Sequence, residues 1–503
     1  MTARPTAVMW AQLLRRVPHG GITLQAQIRQ MLVCAVLDGQ LPVGAPIPSS
    51  RELAEQLGVA RNTVVLAYQQ LVDDGFLVAR QRSGFYVNPG VVGSRVKPAS
   101  AESKAGTPID WARRFRFMPS TQRNIVKCSD WQSYAYPFLY GQFDPSLFPT
   151  ADWRECCLKS LSILDIRAWA PDLILRDDTS LVRQVQSRVL PRRGVFATPD
   201  EIVVTVGVQQ ALYLLADLLV TSDTVVGMED PGYPDARNTF ASRSARIVPL
   251  PVDEDGLVPD DLAAHGCDYV YVTPSHQCPT TVTMPLARRE ALLAAVEASD
   301  AIVIEDDYES ENRFEGDATP ALKSLDRHDR VIYVGSLSKT FAPGLRAGYV
   351  VGPAELIREL RALRRLSLRH PSSYIQRAFA LFLSLGHYDA LLLRLSAEYR
   401  ARAAALSAAL AAHLPEVRFV PIEGGASCWV VGPPWLDATE LGRNAELQGV
   451  LIEPGEVFFM SEATGRNTFR LGYTSIPVAR IEPGIRVLGE LMRKMTGDAT
   501  RAA

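Results

Sequence analysis

The chain has 503 residues, of which 47% are hydrophobic and 21% are charged, and its formal net charge is −2. This length exceeds what one hydrophobic core usually organises, so we expect two or more domains of ordinary soluble composition. Because the net charge is close to zero, the chain as a whole is not basic, and its charge gives no argument for nucleic-acid binding. No apolar run reaches the length of a membrane span.

Local charge and cysteine spacing add further expectations. Residues 1–90 contain eight arginines and no lysine against five acidic residues, and this local excess indicates a polyanionic partner for the N-terminal part. The seven cysteines lack the paired spacing of a zinc site, so we expect no bound metal and a reducing environment. Because no apolar leader with a cleavage site begins the sequence, we expect a cytoplasmic protein.

Three short helices and a β-hairpin are predicted near the N-terminus. Helical spacing of apolar residues predicts the first helix, while serine caps and glycine stops bound the next two. The short turn between the second and third helices is typical of a helix-turn-helix, and a basic turn joins the two strands into a wing. The expected helices cover residues 24–37, about 49–57 and about 62–73, and the strand-like segments cover 76–79 and 85–87.

The polar residues of these elements suit DNA. Arg61, Asn62 and Thr63 occupy the first turn of the third helix, from which a recognition helix reads bases in the major groove. Arg51 begins the preceding helix and can hold the phosphate backbone, which Arg82 can approach from the wing. Taken alone, short amphipathic helices with surface arginines are more often simply a small helical subdomain.

The whole N-terminal string resembles the winged helix of GntR-type regulators over residues 22–89. The resemblance is carried by Pro-Ser-Ser-Arg-Glu-Leu-Ala (48–54), Leu-Gly-Val-Ala-Arg-Asn-Thr-Val (57–64), Ala-Tyr-Gln-Gln-Leu (67–71), Asp-Gly-Phe-Leu (74–77) and Ser-Gly-Phe-Tyr-Val (83–87). It implies a domain at residues 20–89 that binds double-stranded promoter DNA. Val65 stands where some relatives carry arginine, so base preference there does not transfer. The positions that fall at DNA-facing places are Ser50, Arg51, Arg61, Asn62, Thr63 and Gly84.

A linker follows the predicted winged helix. Residues 88–108 are small and polar and contain proline and glycine, a composition that predicts a flexible tether. We assign residues 90–129 to this linker and to the lead-in of the next domain. Its length would let the winged helix dock on a partner subunit.

The remainder of the chain predicts an α/β domain at residues 130–490. Short apolar segments alternate with helical stretches, a pattern typical of a mainly parallel sheet. Polar groups follow several of these strands, and ligands bind beyond the strand ends in open α/β sheets. The predicted strands cover residues 201–205, 224–228, 268–272, 301–305 and 331–335.

Two segments after predicted strands suit an anion and a flat ring. Gly207 permits a tight turn into a helix, so the amides of Val208 and Gln209 would face an anion. Tyr233, in Asp-Pro-Gly-Tyr-Pro, offers a ring on which a heteroaromatic group could stack. Each segment alone is also compatible with a purely structural turn.

The next two segments carry carboxylates and a lysine. In a pyridine-ring ligand, a carboxylate beside the ring nitrogen keeps that nitrogen protonated, and a phenol can hydrogen-bond the oxygen on the ring. We assign Asp306 to the nitrogen, with Asp307 as the alternative carboxylate, and Tyr308 to the oxygen. Lys339, at a strand end with Arg346 seven residues later, suits Schiff-base formation. Its Ser-x-x-Lys context also occurs in serine acyl-transferases of the β-lactamase kind, whose companion tripeptides are missing here.

Residues 130–490 resemble fold-type I aminotransferases, and the combination with a GntR-like head resembles the MocR family of regulators. The carrying strings begin at Glu229 (Glu-Asp-Pro-Gly-Tyr-Pro-Asp-Ala-Arg), Tyr271 (Tyr-Val-Thr-Pro-Ser-His-Gln), Ile304 (Ile-Glu-Asp-Asp-Tyr-Glu-Ser-Glu) and Ser338 (Ser-Lys-Thr-Phe-Ala-Pro-Gly-Leu-Arg). The fold expected is therefore multidomain: a winged helix-turn-helix followed by an α/β fold-type I aminotransferase-like domain that binds pyridoxal 5′-phosphate.

The same resemblance implies roles for single residues. Lys339 would carry the internal aldimine, Tyr233 would stack on the ring, and Ser336 and Arg346 would hold the phosphate. Arg470, in Phe-Arg-Leu-Gly-Tyr, would receive the acidic group of a small amino effector, since the guanidinium fork matches carboxylate or sulfonate oxygens.

Two departures from the aminotransferase pattern favour sensing over efficient transamination. Cys278-Pro-Thr-Thr stands where Asn-Pro-Thr-Gly is common, so the asparagine that normally binds the ring oxygen is absent. Asp177-Asp-Thr-Ser-Leu-Val replaces the usual Gly-x-x-x-Leu-Arg. The stretches that begin at Gly424 and Gly449 look closest to regulators of taurine or ectoine breakdown, which suggests a taurine-like or ectoine-derived amino acid as effector.

The leading hypothesis is a pyridoxal phosphate-dependent regulator, expected as a head-to-tail homodimer. An amino compound would displace Lys339 from the cofactor and favour one domain arrangement over another. The alternative is a catalytically active class I/II aminotransferase with an accessory DNA-binding domain. A third possibility is a cofactor-free remnant of the fold that acts as a plain repressor.

Overall fold

The computed structural model describes two compact units, which span residues 1–114 and 115–503. The described residues are 7–17, 21–91, 109–243, 246–309, 311, 314, 319–340, 342–462 and 464–502. The predicted tether therefore lies outside the described residues from 92 to 108.

The first unit is a set of short helices followed by a hairpin. Its helices are α1 Ala7–Arg15, α2 Leu24–Leu37, α3 Ser50–Leu57 and α4 Arg61–Asp73, and its strands are β1 Leu77–Arg80 and β2 Gly84–Val87. The cap of α3 is Ser49, whose Oγ accepts the Glu52 N–H at 3.2 Å. Gly58 ends this helix in the left-handed conformation, at φ 66°, as the glycine stop predicted.

One apolar cluster joins all elements of this unit. Ile28 of α2, Leu53 of α3, Tyr68 of α4 and Val87 of β2 are fully or almost fully buried in it. Trp10 of α1 lies in the same cluster and has no exposed surface. The first helix therefore packs with the winged helix although it precedes residue 20, where we placed the start of the domain.

The second unit is an α/β assembly. Its α-helices are α5 Thr150–Lys159, α6 Ile163–Trp169, α7 Thr179–Gln184, α8 Gly207–Leu219, α9 Pro234–Ala241, α10 Leu262–His265, α11 Leu286–Ala298, α12 Leu322–Leu325, α13 Ala354–Leu368, α14 Ser373–Ser384, α15 His387–His413, α16 Ala438–Glu446 and α17 Val478–Ala502. Its strands are β3 Tyr136–Pro137, β4 Ile202–Thr205, β5 Val225–Asp230, β6 Arg246–Asp253, β7 Gly256–Leu257, β8 Tyr269–Val272, β9 Ile302–Asp307, β10 Val331–Ser336, β11 Gly348–Val351, β12 Arg418–Phe419, β13 Ser427–Val431, β14 Val450–Leu451, β15 Glu453–Pro454 and β16 Thr468–Gly472.

Among the described residues the main sheet has the strand order β4-β11-β10-β9-β8-β5-β6-β7. Neighbours from β10 to β6 run parallel, whereas β11 is antiparallel to both β10 and β4. The five predicted strands all belong to this sheet. Strands β4 and β10 are both antiparallel to β11, so they run in the same direction. The carboxyl ends of β4, β5, β8, β9 and β10 therefore meet at one edge of the sheet.

A smaller antiparallel sheet has the order β12-β13-β16-β15. In its register Arg470 of β16 lies opposite Trp429 of β13 on one side and Glu453 of β15 on the other. Directly opposed residues on neighbouring strands are close enough for their side chains to interact. The backbone pairing alone therefore places Arg470 next to Glu453.

No single helix in the described ranges is long and apolar enough to cross a membrane. The helices Ser373–Ser384 and His387–His413 meet the length and composition test only when taken together, and they are bent by 75°.

Candidate functional site

A cavity of about 430 Å³ opens where the parallel strands end. The structure brings all nine residues predicted for cofactor and effector to its wall: Val208, Gln209, Tyr233, Asp306, Tyr308, Ser336, Lys339, Arg346 and Arg470. Gly207, predicted to form the turn before the helix, and Cys278, at the position of the missing asparagine, also line it. Residues without a predicted role complete the wall, namely Ile125, Lys127, Tyr140, Gly141, Asp235, Ser338 and Pro343.

Of the two neighbouring carboxylates, Asp306 lines the cavity. Its Oδ2 accepts a hydrogen bond from the Tyr271 hydroxyl at 2.8 Å, while its buried Oδ1 has no hydrogen-bond partner among the described residues. Burial raises the pKa of Asp306 to about 7. An unpartnered buried carboxylate oxygen is costly unless a donor reaches it, so this oxygen fits a protonated ring nitrogen.

Asp307 also has a buried Oδ1 without a hydrogen-bond partner among the described residues, but it does not line the cavity, and its other oxygen is engaged elsewhere. Because successive side chains of a strand point to opposite faces, Asp307 faces away from Asp306, and its Oδ2 accepts from Arg193 Nε and from the Tyr333 hydroxyl, each at 2.7 Å. Burial acts to raise the pKa of Asp307, but the Arg193 guanidinium and these hydrogen bonds hold it below its usual value. The structure therefore separates two carboxylates that spacing alone left open.

Lys339 follows the end of β10. Its backbone N–H donates to Ser336 Oγ at 3.1 Å, and its Nζ lies 4.3 Å from the ring centroid of Tyr140. Burial lowers the pKa of Lys339, and the nearby Arg470 charge lowers it further, whereas Glu309 opposes the shift. A lysine with a lowered pKa has more of the neutral amine, which is the nucleophilic form.

The start of α8 provides an anion cradle. Val206 precedes the helix without a side-chain cap, so the amides of the first turn, including Val208 and Gln209, remain open as donors. Gly207 has φ +70°, and a Cβ there would lie 3.4 Å from Arg346 Cζ. The glycine therefore permits both the turn and the approach of a cation to the helix end.

The aromatic and thiol groups of the cavity have partners of their own. The Tyr233 hydroxyl lies 3.1 Å from both Gln209 Oε1 and Asp235 Oδ2, and the Tyr308 hydroxyl donates to the His276 carbonyl oxygen at 2.7 Å. Burial raises the pKa of Cys278 to about 12, so this thiol stays neutral. A neutral thiol is a weaker donor than the carboxamide usual at that position.

Arg470 is buried and already carries a counter-charge. Its Nε donates to Glu453 Oε2 at 2.8 Å, and its Cζ lies 4.1 Å from the ring centroid of Tyr140 and 4.7 Å from that of Phe458. Its buried Nη2 has no hydrogen-bond partner in the described part of the chain. One donor of the guanidinium therefore remains for a ligand.

Lys127 is the lining residue that sequence reasoning missed most clearly. It falls in the segment assigned to the linker and lead-in, and nothing in its local sequence marks it. Its Nζ donates to the Tyr140 carbonyl oxygen and lies 3.6 Å from Glu453 Oε1. Burial lowers the pKa of Lys127 to about 8, and Glu453 opposes this shift.

In the first unit the predicted DNA contacts lie at helix starts and on the hairpin. Arg61 and Asn62 open α4 and are exposed, as is Arg51 in the first turn of α3. Ser50 and Thr63 are half-buried in the same first turns, and exposed Gly84 begins β2 with φ +99°. Among the described residues no cluster of three or more His, Cys, Asp or Glu side chains could hold a metal ion.

Comparisons with known proteins divide the chain in the same way. The family of bacterial regulatory proteins of the gntR type matches residues 24–87, and the family of class I and II aminotransferases matches residues 180–488. The α-aminoadipate aminotransferase LysN of Thermus thermophilus, solved with N-(5′-phosphopyridoxyl)-L-leucine, is a structural neighbour. Its TM-score is 0.71 at 28% identity, and the match covers 77% of this chain and 100% of that chain.

Two curated relatives span both units. The chain is 42% identical over 476 residues to the HTH-type transcriptional regulator TauR of Rhodobacter capsulatus. The match covers 95% of this chain and 98% of that protein. It is 30% identical over 472 residues to the probable rhizopine catabolism regulatory protein MocR of Rhizobium meliloti, with 93% of each chain covered.

A GntR helix-turn-helix and an aminotransferase fold on one chain define a class of DNA-binding transcriptional regulators. The chain belongs to the MocR family of that class.

Removal of the Arg61 side chain should weaken sequence-specific DNA binding. A bidentate arginine–guanine contact contributes about 1–3 kcal/mol of discrimination, so Arg61→Ala should lose that much affinity for an operator selected by the intact protein from random duplexes. Fluorescence anisotropy measures the change, with Arg16→Ala, an exposed arginine outside α3 and α4, as matched control. Equal affinities for the two variants would contradict the assignment of Arg61.

Proposed function

We propose that the aminotransferase-like domain binds pyridoxal 5′-phosphate at Lys339 and senses a small amino compound there. Binding of that effector changes the affinity or geometry of the winged helix on promoter DNA. The observation that carries this proposal is the meeting of Lys339, the open oxygen of Asp306 and the α8 anion cradle in one cavity.

The residues present fit the cofactor. Asp306 Oδ1 would accept from the protonated ring nitrogen. The Tyr308 hydroxyl is the phenol assigned to the ring oxygen, and it would turn its O–H from the His276 carbonyl oxygen toward that oxygen. The ring of Tyr233 supplies a stacking face. The phosphate would lie on the first-turn amides of α8, with Ser336 and Arg346 as further donors. When bound, the group supplies an aldehyde that forms a Schiff base with an amine.

The effector's amine would take the place of the Lys339 amine at the aldehyde, which would release the Lys339 amine, and Arg470 would hold the effector's acidic group. The open Nη2 of Arg470 is a charged donor for a carboxylate or sulfonate oxygen. An effector thus has an amine and an acid on one small skeleton. Taurine is the first compound to test, followed by diaminobutyrate derivatives of the ectoine type and γ-aminobutyrate.

The assembly and location follow from the same hypothesis. We expect a head-to-tail homodimer in the cytoplasm, where a regulator meets chromosomal DNA. The tether then has the length to place each winged helix on the partner subunit.

An absorbance titration separates this function from its alternatives. The full-length protein is loaded with pyridoxal phosphate, and its visible spectrum is recorded as each amine is added, with and without a keto acid. We expect a stable spectral change without accumulation of product beyond one equivalent per subunit. Repeated turnover at ordinary enzyme rates of about 1–10³ s⁻¹ would instead favour a working aminotransferase. Protein that stays colourless after loading would favour a cofactor-free repressor.

A further inference from the structure

We propose that Glu453 and Lys127 set the charge that an effector must bring: Glu453 neutralises one of two cations, and the effector's acidic group neutralises the other. This inference rests on the proposed function, because it concerns the same effector. It names the ligand class as small amines with one negative charge, and it gives a role to two residues outside the cofactor-binding set.

Glu453 lies between the two cations and offers one oxygen to each. Oε2 accepts from Arg470 Nε at 2.8 Å, whereas Oε1 lies 3.6 Å from Lys127 Nζ. The first contact is a short charged hydrogen bond, and the second exceeds hydrogen-bond distance. The Glu453 and Arg470 side chains are 3% and 2% exposed, so water does little to screen this charge.

Lys127 stands next to the place where the effector's amine would be attached. A Cβ on Gly141 would lie 3.2 Å from Lys127 Nζ and 3.3 Å from Lys339 Nζ, so the two amines flank the same point. Gly141 has φ +70°, a conformation that favours glycine, and the missing side chain leaves this point open. A short amine attached at the position of Lys339 would therefore have its acidic group within reach of both Lys127 and Arg470.

The charges around this end of the cavity leave one positive charge unmatched. Lys127 and Arg470 carry two positive charges against the single negative charge of Glu453. Glu309, a further buried acid, lies with Gly141 and Lys339 around a small adjoining cavity and accepts a hydrogen bond from the Tyr140 hydroxyl at 2.7 Å. The charge of Lys339 lowers the pKa of Glu309 more than that of Arg470 does, against the rise caused by burial, so we pair Glu309 with Lys339 and leave it out of this balance. The Lys127 side chain is 30% exposed, so water screens part of its charge, whereas Arg470 and Glu453 are almost fully buried. Because an uncompensated charge beside them is costly, one further negative charge completes the site. A dicarboxylate would leave a negative charge unmatched, and an uncharged amine would leave the positive one.

Two charge-removing substitutions and their combination test this arrangement. Lys127→Met removes the positive charge and keeps much of the apolar stem, and Glu453→Gln removes the negative charge at nearly constant volume. Each variant is loaded with pyridoxal phosphate and titrated, by visible absorbance, with taurine, aspartate and propylamine. Propylamine has an amine and no acidic group, so it reports on the cofactor and Lys339 alone.

The two single variants should move in opposite directions. Lys127→Met should weaken taurine binding by at least about tenfold, and Glu453→Gln should strengthen aspartate relative to taurine by a similar factor. The double variant again has one unmatched positive charge, so its preference for taurine over aspartate should return to within about twofold of the parent value. Propylamine midpoints should stay unchanged throughout.

Specific results would overturn the inference. One is a taurine midpoint in Lys127→Met that equals the parent value, and another is an equal loss for taurine and propylamine. A third is a double variant whose preference for taurine over aspartate stays as far from the parent value as that of Glu453→Gln. The failure of the proposed function is distinguishable from these, because the parent protein would then give no spectral change with any amine, propylamine included.

Discussion

Replacing Lys339 by alanine should abolish the visible band of the cofactor-loaded protein and its entire response to effector, while operator binding persists. The Schiff base needs a neutral amine beside the aldehyde, and burial lowers the pKa of Lys339 in the cavity wall. A bound effector typically changes the affinity at a coupled site by about 5–150-fold. We expect Lys339→Ala to show no effector-dependent change in DNA affinity. The residues predicted to face DNA belong to the other unit, so affinity without effector should stay at the parent value.

Visible absorbance measures the loss of the cofactor band, and fluorescence anisotropy on labelled operator DNA measures DNA affinity with and without effector. Lys159→Ala is the matched control, because Lys159 lies on the surface of α5 and pairs only with Glu155 among the described side chains. An effector response that survives intact in Lys339→Ala would rule out Lys339 as the sensing group.

Replacing Asp306 by asparagine should reduce cofactor affinity by roughly 10–100-fold, since a hydrogen bond to a charged group contributes about 1.5–3 kcal/mol. The carboxamide keeps the size of the side chain and a bond to Tyr271, but it no longer supplies a negative charge to a protonated ring nitrogen. Titration of the unloaded protein with pyridoxal phosphate, followed by absorbance, measures the loss.

Asp307→Asn is the matched comparison because the two carboxylates are neighbours with different surroundings. This change removes the charge that pairs with buried Arg193, so the free energy of unfolding should fall by about 3–5 kcal/mol. The folded fraction should still bind the cofactor with parent affinity. If Asp307→Asn lost the cofactor and Asp306→Asn kept it, the assignment of the carboxylates would be reversed.

Local pattern was sufficient for much of the fold. Apolar periodicity and glycine stops predicted α2, α3 and α4, and short apolar runs predicted the five central strands of the main sheet. Strand β6 was missed because it contains Pro249 and Pro251, which argue against a strand. Helix α1 was missed because its tie to the domain, through Trp10, depends on tertiary packing.

The candidate site was predictable where residues follow strand ends and not where they come from elsewhere. Lys339 and Asp306 follow directly from the rule that ligands bind at the carboxyl ends of parallel strands. The choice between Asp306 and Asp307 required the partner of each side chain, and Arg193 lies more than a hundred residues away. Lys127 reaches the cavity wall from the lead-in segment, and the register of the smaller sheet places Glu453 beside Arg470. Local sequence encodes neither position.

The central claim, that one bound cofactor reads the effector and controls DNA binding, is tested most directly by a single titration. Cofactor-loaded protein on labelled operator DNA is titrated with the first amine that changes the spectrum of the free protein, and absorbance and anisotropy are recorded together. We predict that both signals change with the same midpoint. A change in DNA affinity without any spectral change, or a full spectral change that leaves DNA affinity untouched, would contradict the claim.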